Sequence, residues 1–230
     1  MPRSPLWYLQ NIELFAGISE QDMVELIKNV LHKQYDRRQF LYTPEDRVEN
    51  VFILKDGEVT LYKSTPDGKR VVIDILKPGA VFGNISFDPD TGEPHFAEIT
   101  EKAMICTLPH NYFLQILARR PDVALRALTI LSRRLKQYEL QIRALSSLQA
   151  RERILATVRL INEKDEQSTL PKVLRRPTRL THEKLGSMTG LSRETVTKLL
   201  SDLKADGMID VQGKVIQLTE EGQRAVASLV

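Results

Sequence analysis

The chain has 230 residues, 42% hydrophobic and 27% charged, with a formal net charge of +3. That mix supplies a core for one large or two small domains and excludes a wholly disordered or fibrous chain. No uncharged apolar stretch approaches the roughly 18 residues of a membrane span, MPRSPLWYLQ lacks the apolar run of a signal peptide, and the single cysteine, Cys106, excludes a disulfide framework or a four-cysteine cluster, so a cytoplasmic protein is the expectation.

Near the N-terminus, FAGISEQDMVELIKNV reads as a helix capped by Ser19, with Met23, Leu26, Ile27 and Val30 on one face. From residue 35 to 109 the pattern becomes strand-like. Short apolar runs (VFILKD, VTLYKS, VVIDIL, AMICTL) alternate with turn signals (KDGE, PDGK, KPG, DTGE). Such spacing predicts a small antiparallel barrel or roll, with hairpin turns at Asp56-Gly57 and Asp67-Gly68.

Residues 110–148 return to a helical period. Leu128, Leu131, Leu135, Tyr138, Ile142 and Leu145 form an a/d seam, with Arg133, Arg134, Lys136, Glu139 and Arg143 off it. The seam fits either a two-stranded coiled coil, hence a homodimer, or a helix lying on its own barrel. The strict 3.5 spacing favours the dimer, because a core-facing stripe is usually wider. Ser146-Ser147 marks a candidate hinge, a second helix covers 149–163, and 164–178, with Pro171 and Pro177, reads as a polar loop.

Charge is uneven along the chain. Residues 1–150 carry 19 basic and 19 acidic side chains, and 151–230 carry 14 and 11. Within 172–198, seven cations (Lys172, Arg175, Arg176, Arg179, Lys184, Arg193, Lys198) face two anions (Glu183, Glu194). The choice lies between a polyanion-binding surface and a solvated basic loop.

The most specific stretch is LTHEKLGSMTGLSRETVTKLLSDLKADGMIDVQGKVIQLT, residues 180–219. Thr181 caps a short helix that buries Leu185 and Met188. Gly190 makes a left-handed turn, and Leu191 plugs between two helices. Ser192 caps the second helix, with Thr195 where a capping-box Glu would sit. Val196, Leu199, Leu200 and Leu203 form its buried face, leaving Arg193, Glu194, Thr197 and Lys198 exposed near its start. That is the arrangement of a helix-turn-helix, the alternative being an ordinary helical hairpin with a solvated charged face, and SRETV at the start of the second helix favours the former; a two-stranded wing turning at Gln212-Gly213 follows. In a major groove Arg193 can donate bidentately to guanine, Glu194 can accept from cytosine N4, Thr197 can touch a thymine methyl or a phosphate, and Lys198 can reach guanine or phosphate. Lys172, Arg175, Arg176, Arg179, Ser192 and Lys214 are candidates for phosphate contacts that position without specifying.

SRETVTKLLSDLKADGMID with its GKVIQL wing resembles the CRP/FNR family of bacterial transcription regulators. KDGEVTLY, KPGAVFG and PHFAEIT look like landmarks of the family's cyclic-nucleotide-binding fold, so the resemblance covers nearly the whole chain. It implies an α+β protein with three parts: a cyclic-nucleotide-binding-type β-roll over 1–118, a long dimerisation helix over 119–147, and a winged helix-turn-helix over 148–230. It also implies a homodimer on a near-palindromic double-stranded DNA site, and activation through RNA polymerase. By resemblance Arg193, Glu194 and Lys198 read the half-site; Lys198 stands where the cyclic-AMP receptor branch usually has Arg.

The family's nucleotide-binding stretch resembles FGE, then several residues, then P-R-S/A-A-T; the Glu binds the ribose and the Arg the cyclic phosphate. Here Asn84 stands at the Glu position and His95 near the Arg position. From Asn84 to Glu101 there is no Lys or Arg, against five acids (Asp88, Asp90, Glu93, Glu98, Glu101). Burying a phosphate needs compensating donors or charge. The family's adenine-contacting pair aligns near Tyr138 and Glu139, which do not match it. Gly83, Asn84, His95, Phe96 and Tyr138 therefore mark a degenerate effector pocket, and the chain is expected to bind DNA without an effector. The alternative is a regulator gated by a cyclic nucleotide or another small molecule, for instance an anion reached by Arg126 or Arg133.

Other chemistries find no support. One cysteine cannot ligate an iron–sulfur cluster, His32, His95 and His110 are scattered, and DPDTGE (Asp88, Asp90, Glu93) lacks a full calcium ligand set. Cys106 in MICTL fits a buried inert thiol better than a redox sensor. Phosphate-loop, dinucleotide and nucleophile-elbow motifs are missing, so no cofactor, metal or enzymatic activity is expected. A scaffold that has lost DNA binding is disfavoured by the Arg193/Glu194 pair and the basic segment.

Overall fold

The computed structural model describes residues 5–85, 95–166, 168, 171 and 175–227. These divide into two compact units, one holding 5–64, 73–85, 95–131, 171 and 175, the other 65–72, 132–166, 168 and 176–227.

The first unit opens with α1 (Pro5–Gln10), a 3-10 turn (Glu13–Phe15) and α2 (Glu20–Lys28). Ser19 caps α2, its hydroxyl accepting from the Asp22 amide, while Met23, Leu26 and Val30 are buried and Ile27 is half-buried, as the periodicity predicts. The strands β1 (Leu31–Tyr35), β2 (Phe40–Tyr42), β3 (Asn50–Ser64), β4 (Arg70–Leu76), β5 (Val81–Gly83) and β6 (Phe96–Pro109) form one six-stranded sheet. Its main path runs β1-β6-β3-β4, with β2 on β6 and β5 on β3. The pairs β1/β6, β2/β6, β3/β5 and β3/β6 are antiparallel.

The two expected hairpin turns part ways. Asp67-Gly68 does turn the chain between β3 and β4, with Gly68 at φ +79 and the Thr65 amide donating to Lys69 O at 2.9 Å. Asp56-Gly57 does not. It is a bulge inside the unbroken strand β3, where the register against β6 shifts at Leu54, Asp56 and Glu58. Gly57 sits at φ +89, and a Cβ there would lie 2.2 Å from Lys102 O. Its partner backbone passes too close for any side chain, which is the other reason a strand carries glycine.

Two buried clusters hold this unit together. One joins Phe15, Met23 and Leu26 to Val51, Ile53, Cys106, Leu108 and Phe113. The other fills the roll with Tyr42, Phe52, Leu54, Val59, Leu76, Phe82, Ile99 and Ile105. The helical stretch after β6 is two helices rather than one, α3 (His110–Arg119) and α4 (Pro121–Ser147). Arg120 leaves helical geometry at φ −128, ψ 83, and Pro121, lacking an N–H, suits the first position of a new helix.

In the second unit α5 (Ala150–Glu166) carries α6 (His182–Thr189), α7 (Arg193–Ala205), the ribbon β7 (Ile209–Gln212) and β8 (Val215–Leu218), and α8 (Glu220–Ala227). Ile154, Leu155, Val158, Leu185, Met188, Val196, Leu200, Leu203, Ile209, Ile216 and Val226 are buried. Among the described residues no helix is long and apolar enough to cross a membrane.

Candidate nucleic-acid interface

Two helix caps and one glycine build the turn that presents α7. The Thr181 hydroxyl accepts from the Lys184 amide and caps α6. Gly190 ends α6 at φ +68, in the left-handed region the turn needs. The Ser192 hydroxyl then accepts from the Thr195 amide at 3.1 Å and pairs with the Thr195 hydroxyl at 3.0 Å, so Thr195, at the capping-box position, meets the cap through its side chain rather than through the Ser192 amide. Gly186 was not singled out from the sequence. A Cβ there would stand 2.7 Å from Leu191 O, so only glycine lets the turn fold back on α6.

Arg193, Glu194, Thr197 and Lys198 are all exposed on the first two turns of α7, while Val196, Leu200 and Leu203 are buried beneath them. The Glu194 carboxyl titrates below its ordinary value. Its own backbone amide at the helix start is the main cause, followed by the Ser192 hydroxyl and Arg193. It is therefore an ionised acceptor at neutral pH. Ser192, expected at a phosphate, is exposed as well as serving as the cap.

The wing is locked to the same scaffold. Asn162 on α5 donates to Ile216 O at 2.9 Å and accepts from the Leu218 amide at 3.0 Å. Asp165 accepts from both the amide and the hydroxyl of Thr178, each at 2.7 Å. The Leu180 amide donates to Lys214 O at 2.7 Å, which brings exposed Arg179 and exposed Lys214 to one edge. Arg175 and Arg176 are exposed, and Lys172 lies outside the described residues. The clamps Asn162 and Asp165, and His182, which contacts Thr197, carried no sequence signal. Asn162 reaches strand β8, Asp165 the segment before α6, and His182 the neighbouring helix α7, all contacts between elements that periodicity does not reveal.

At the expected effector pocket, Gly83 ends β5 and Asn84 follows it, both buried, and His95 directly precedes Phe96, the first residue of β6. His95 Nε2 is 3.0 Å from the Tyr42 hydroxyl, and the two rings meet edge to face. Tyr42 stacks in turn on Phe52, and Phe96 stacks on Tyr62 at 4.9 Å. Glu58, fully buried, accepts from Thr100 at 2.6 Å and pairs with Lys77 at 2.8 Å. Asp74 and Glu98 are buried too. Arg126 is tied to Asp122. Tyr138 and Arg133 lie on the part of α4 that belongs to the second unit. Asp88, Asp90 and Glu93 lie outside the described residues. No group of three or more His, Cys, Asp or Glu able to hold a metal occurs among the described residues.

Cys106 is fully buried, 3.0 Å from His32 Nδ1. Burial pushes its thiol up to about 11, and burial together with Lys55 lowers the His32 pKa. Both shifts oppose a thiolate–imidazolium pair, so the sulfur is poorly nucleophilic at neutral pH.

Comparison with known proteins agrees with this architecture. Residues 32–120 match the model of the cyclic nucleotide-binding domain, and residues 152–222 match the Crp-like helix-turn-helix domain. The chain belongs to the CRP/FNR family of transcription regulators. It is 25% identical over 215 residues to the regulatory protein HlyX of Actinobacillus pleuropneumoniae, covering 91% of this chain and 87% of that one. It is 29% identical over 184 residues to the global nitrogen regulator of a Synechocystis strain, covering 79% and 81%. The fold is that of FixK2 from Bradyrhizobium japonicum, with a TM-score of 0.71 at 21% identity over 87% of this chain and 96% of that one. A family member of this kind is a DNA-binding regulator and not an enzyme.

Proposed function

We propose that this regulator acts as a homodimer on a near-palindromic DNA site and binds it without a small-molecule effector. The row Arg193, Glu194, Thr197 and Lys198 carries the reading, because a capped, rigidly seated helix offers four hydrogen-bonding or apolar contacts to base edges. Arg193 donates to guanine, Glu194 accepts from cytosine, and Arg176, Arg179, Lys214 and Ser192 hold phosphates; Lys172 and Arg175 are further phosphate candidates from the sequence. Exposure of Leu128, Leu135, Ile142 and Leu145 on α4 supports pairing through the seam with Leu131 and Tyr138. The domain limits proposed are a sensor over 1–118, a dimerisation helix over 119–147 and a DNA-binding domain over 148–230. Activation by contact with RNA polymerase follows from the family likeness.

Effector independence rests on the roll itself. His95 is engaged by Tyr42, Lys77 is committed to Glu58, and Asp74 on β4 and Glu98 on β6 are buried on the same sheet. An anionic ligand entering there meets acids and few available cations. The test is binding of purified, ligand-free protein to a fluorescent duplex bearing a family-like inverted repeat, at fixed salt, with and without cyclic AMP. Tight, specific binding that the nucleotide leaves unchanged is expected. Weak binding rescued by cyclic AMP overturns the effector-independent reading and restores a ligand-gated one.

A further inference from the structure

The hydroxyl of Thr197 has two partners. Its Oγ1 lies 2.8 Å from the Arg193 carbonyl oxygen, one turn back on α7, and 2.7 Å from Nδ1 of His182, the first residue of α6. A hydroxyl has one proton to give, and a carbonyl oxygen can only accept. One assignment satisfies both contacts. The hydroxyl donates to Arg193 O, and the Nδ1–H of His182 donates to the hydroxyl. His182 is thereby fixed in one tautomer, and Thr197 is held in one rotamer by a bond along its own helix and a bond across the turn.

Thr197 has three groups on its branched carbon: a hydrogen, the hydroxyl and a methyl. The hydroxyl is turned into the backbone and toward α6, with its proton committed. With no proton left to donate and one lone pair taken by His182, an exposed Thr197 offers a base edge its methyl and a single remaining acceptor lone pair, and the base group that matches a methyl is the 5-methyl of thymine. A hydroxyl free to rotate would accept almost any base edge, because it is both donor and acceptor.

We infer that His182 is a specificity-determining positioning residue: it locks the Thr197 hydroxyl away, so that Thr197 selects thymine through methyl–methyl contact rather than through a hydrogen bond. This rests on the reading of α7 as the base-reading helix. His182 touches no base in this scheme; it acts through Thr197.

Uracil tests the point, since it keeps thymine's hydrogen-bonding edge and lacks only the methyl. The duplex is one selected from a random library by the wild-type protein, then resynthesised with each thymine singly replaced by deoxyuridine. Wild-type protein should lose about fourfold in affinity at one position per half-site, the worth of one buried methyl group. Thr197→Val, which keeps a methyl, should keep that penalty. Thr197→Ser, which keeps the hydroxyl, should abolish it. His182→Ala should shrink the penalty without abolishing binding, and His182→Asn, which places an N–H donor at the same reach, should restore it. That ratio is insensitive to a loss of folded protein, so a merely structural role for His182 would not move it.

The opposite pattern, with discrimination kept by Thr197→Ser and lost by Thr197→Val, shows that the hydroxyl reads the base and overturns the inference. So does a flat uracil profile in a protein whose Arg193→Ala variant relaxes one base position, because α7 then reads without Thr197. If Arg193→Ala instead weakens selected and random DNA alike, α7 is not the reader, and the inference falls with that reading rather than by itself.

Discussion

Arg193 and Lys214 are both exposed cations in the DNA-binding unit, yet their surroundings predict different losses. Arg193 stands on the first turn of α7, where the proposed function brings its guanidinium fork to base edges. Lys214 follows the wing turn and supplies a point charge. Arg193→Ala is expected to cost about 1–3 kcal/mol on the selected site and to relax one base position. Lys214→Ala should weaken every sequence alike and reduce the slope of log affinity against log salt by about 1. Titration of both variants on selected and random duplexes at several salt concentrations decides; equal losses from both on both duplexes would remove α7 from the reading role. At this scale the sequence was legible where chemistry follows the local cap. Arg193 and Glu194 could be placed because Ser192 had to be an N-cap. His182 could not, because its contact depends on the crossing angle of α6 and α7. The same holds for Gly186, whose close neighbour is Leu191 rather than a residue of its own helix.

Elements were legible where period and punctuation agreed. The α2 face, the caps of α6 and α7 and the wing emerge as expected, because each is fixed within about ten residues. Asp56-Gly57 misled, since a turn dipeptide and a bulge dipeptide have the same composition and differ only in what passes beside them. The helix break at Arg120 shows the converse: Pro121 announced it, but the continuous apolar period on either side concealed it. That break is also an electrostatic junction. Asp122 accepts from Arg120 at 3.0 and 3.2 Å and from Arg126 at 3.1 Å, across the first turn of α4. The Arg120 hydrogen bond first, then that of Arg126, pulls the Asp122 carboxyl from 3.8 to about 2. A depressed carboxylate pKa adds stability above the unfolded value and loses it as pH falls through the folded one. Asp122→Asn should therefore lower Tm at pH 7, and the gap from wild type should close between about pH 4 and pH 2. Thermal unfolding across that range checks it; a gap that stays constant with pH would assign the loss to packing instead.

The whole molecule poses a question that a single chain answers by what it leaves uncovered. Leu128, Leu135 and Ile142 are 60%, 60% and 65% exposed, at intervals of seven residues along α4. Folding of this chain covers well under half of each, whereas a partner helix that covers the rest adds about 1–2 kcal/mol per side chain. Seven-residue spacing brings them to one stripe, the geometry of a two-stranded coiled coil and not of a helix that curls around its own core. The consequence for DNA follows from symmetry. In the proposed dimer, two recognition helices related by a two-fold axis meet two half-sites together, so affinity for the inverted repeat is expected to include a linkage that a single half-site lacks. The double variant Leu135→Lys/Ile142→Lys puts charge into the stripe at positions already open to water. Its helical circular dichroism and urea midpoint at low concentration should match wild type. Sedimentation velocity at micromolar protein should show a monomer, and affinity for the inverted repeat should fall to that for an isolated half-site. A variant that stays dimeric and keeps its preference for the repeat would place the pairing surface elsewhere on the chain and leave the α4 stripe without a role in DNA recognition.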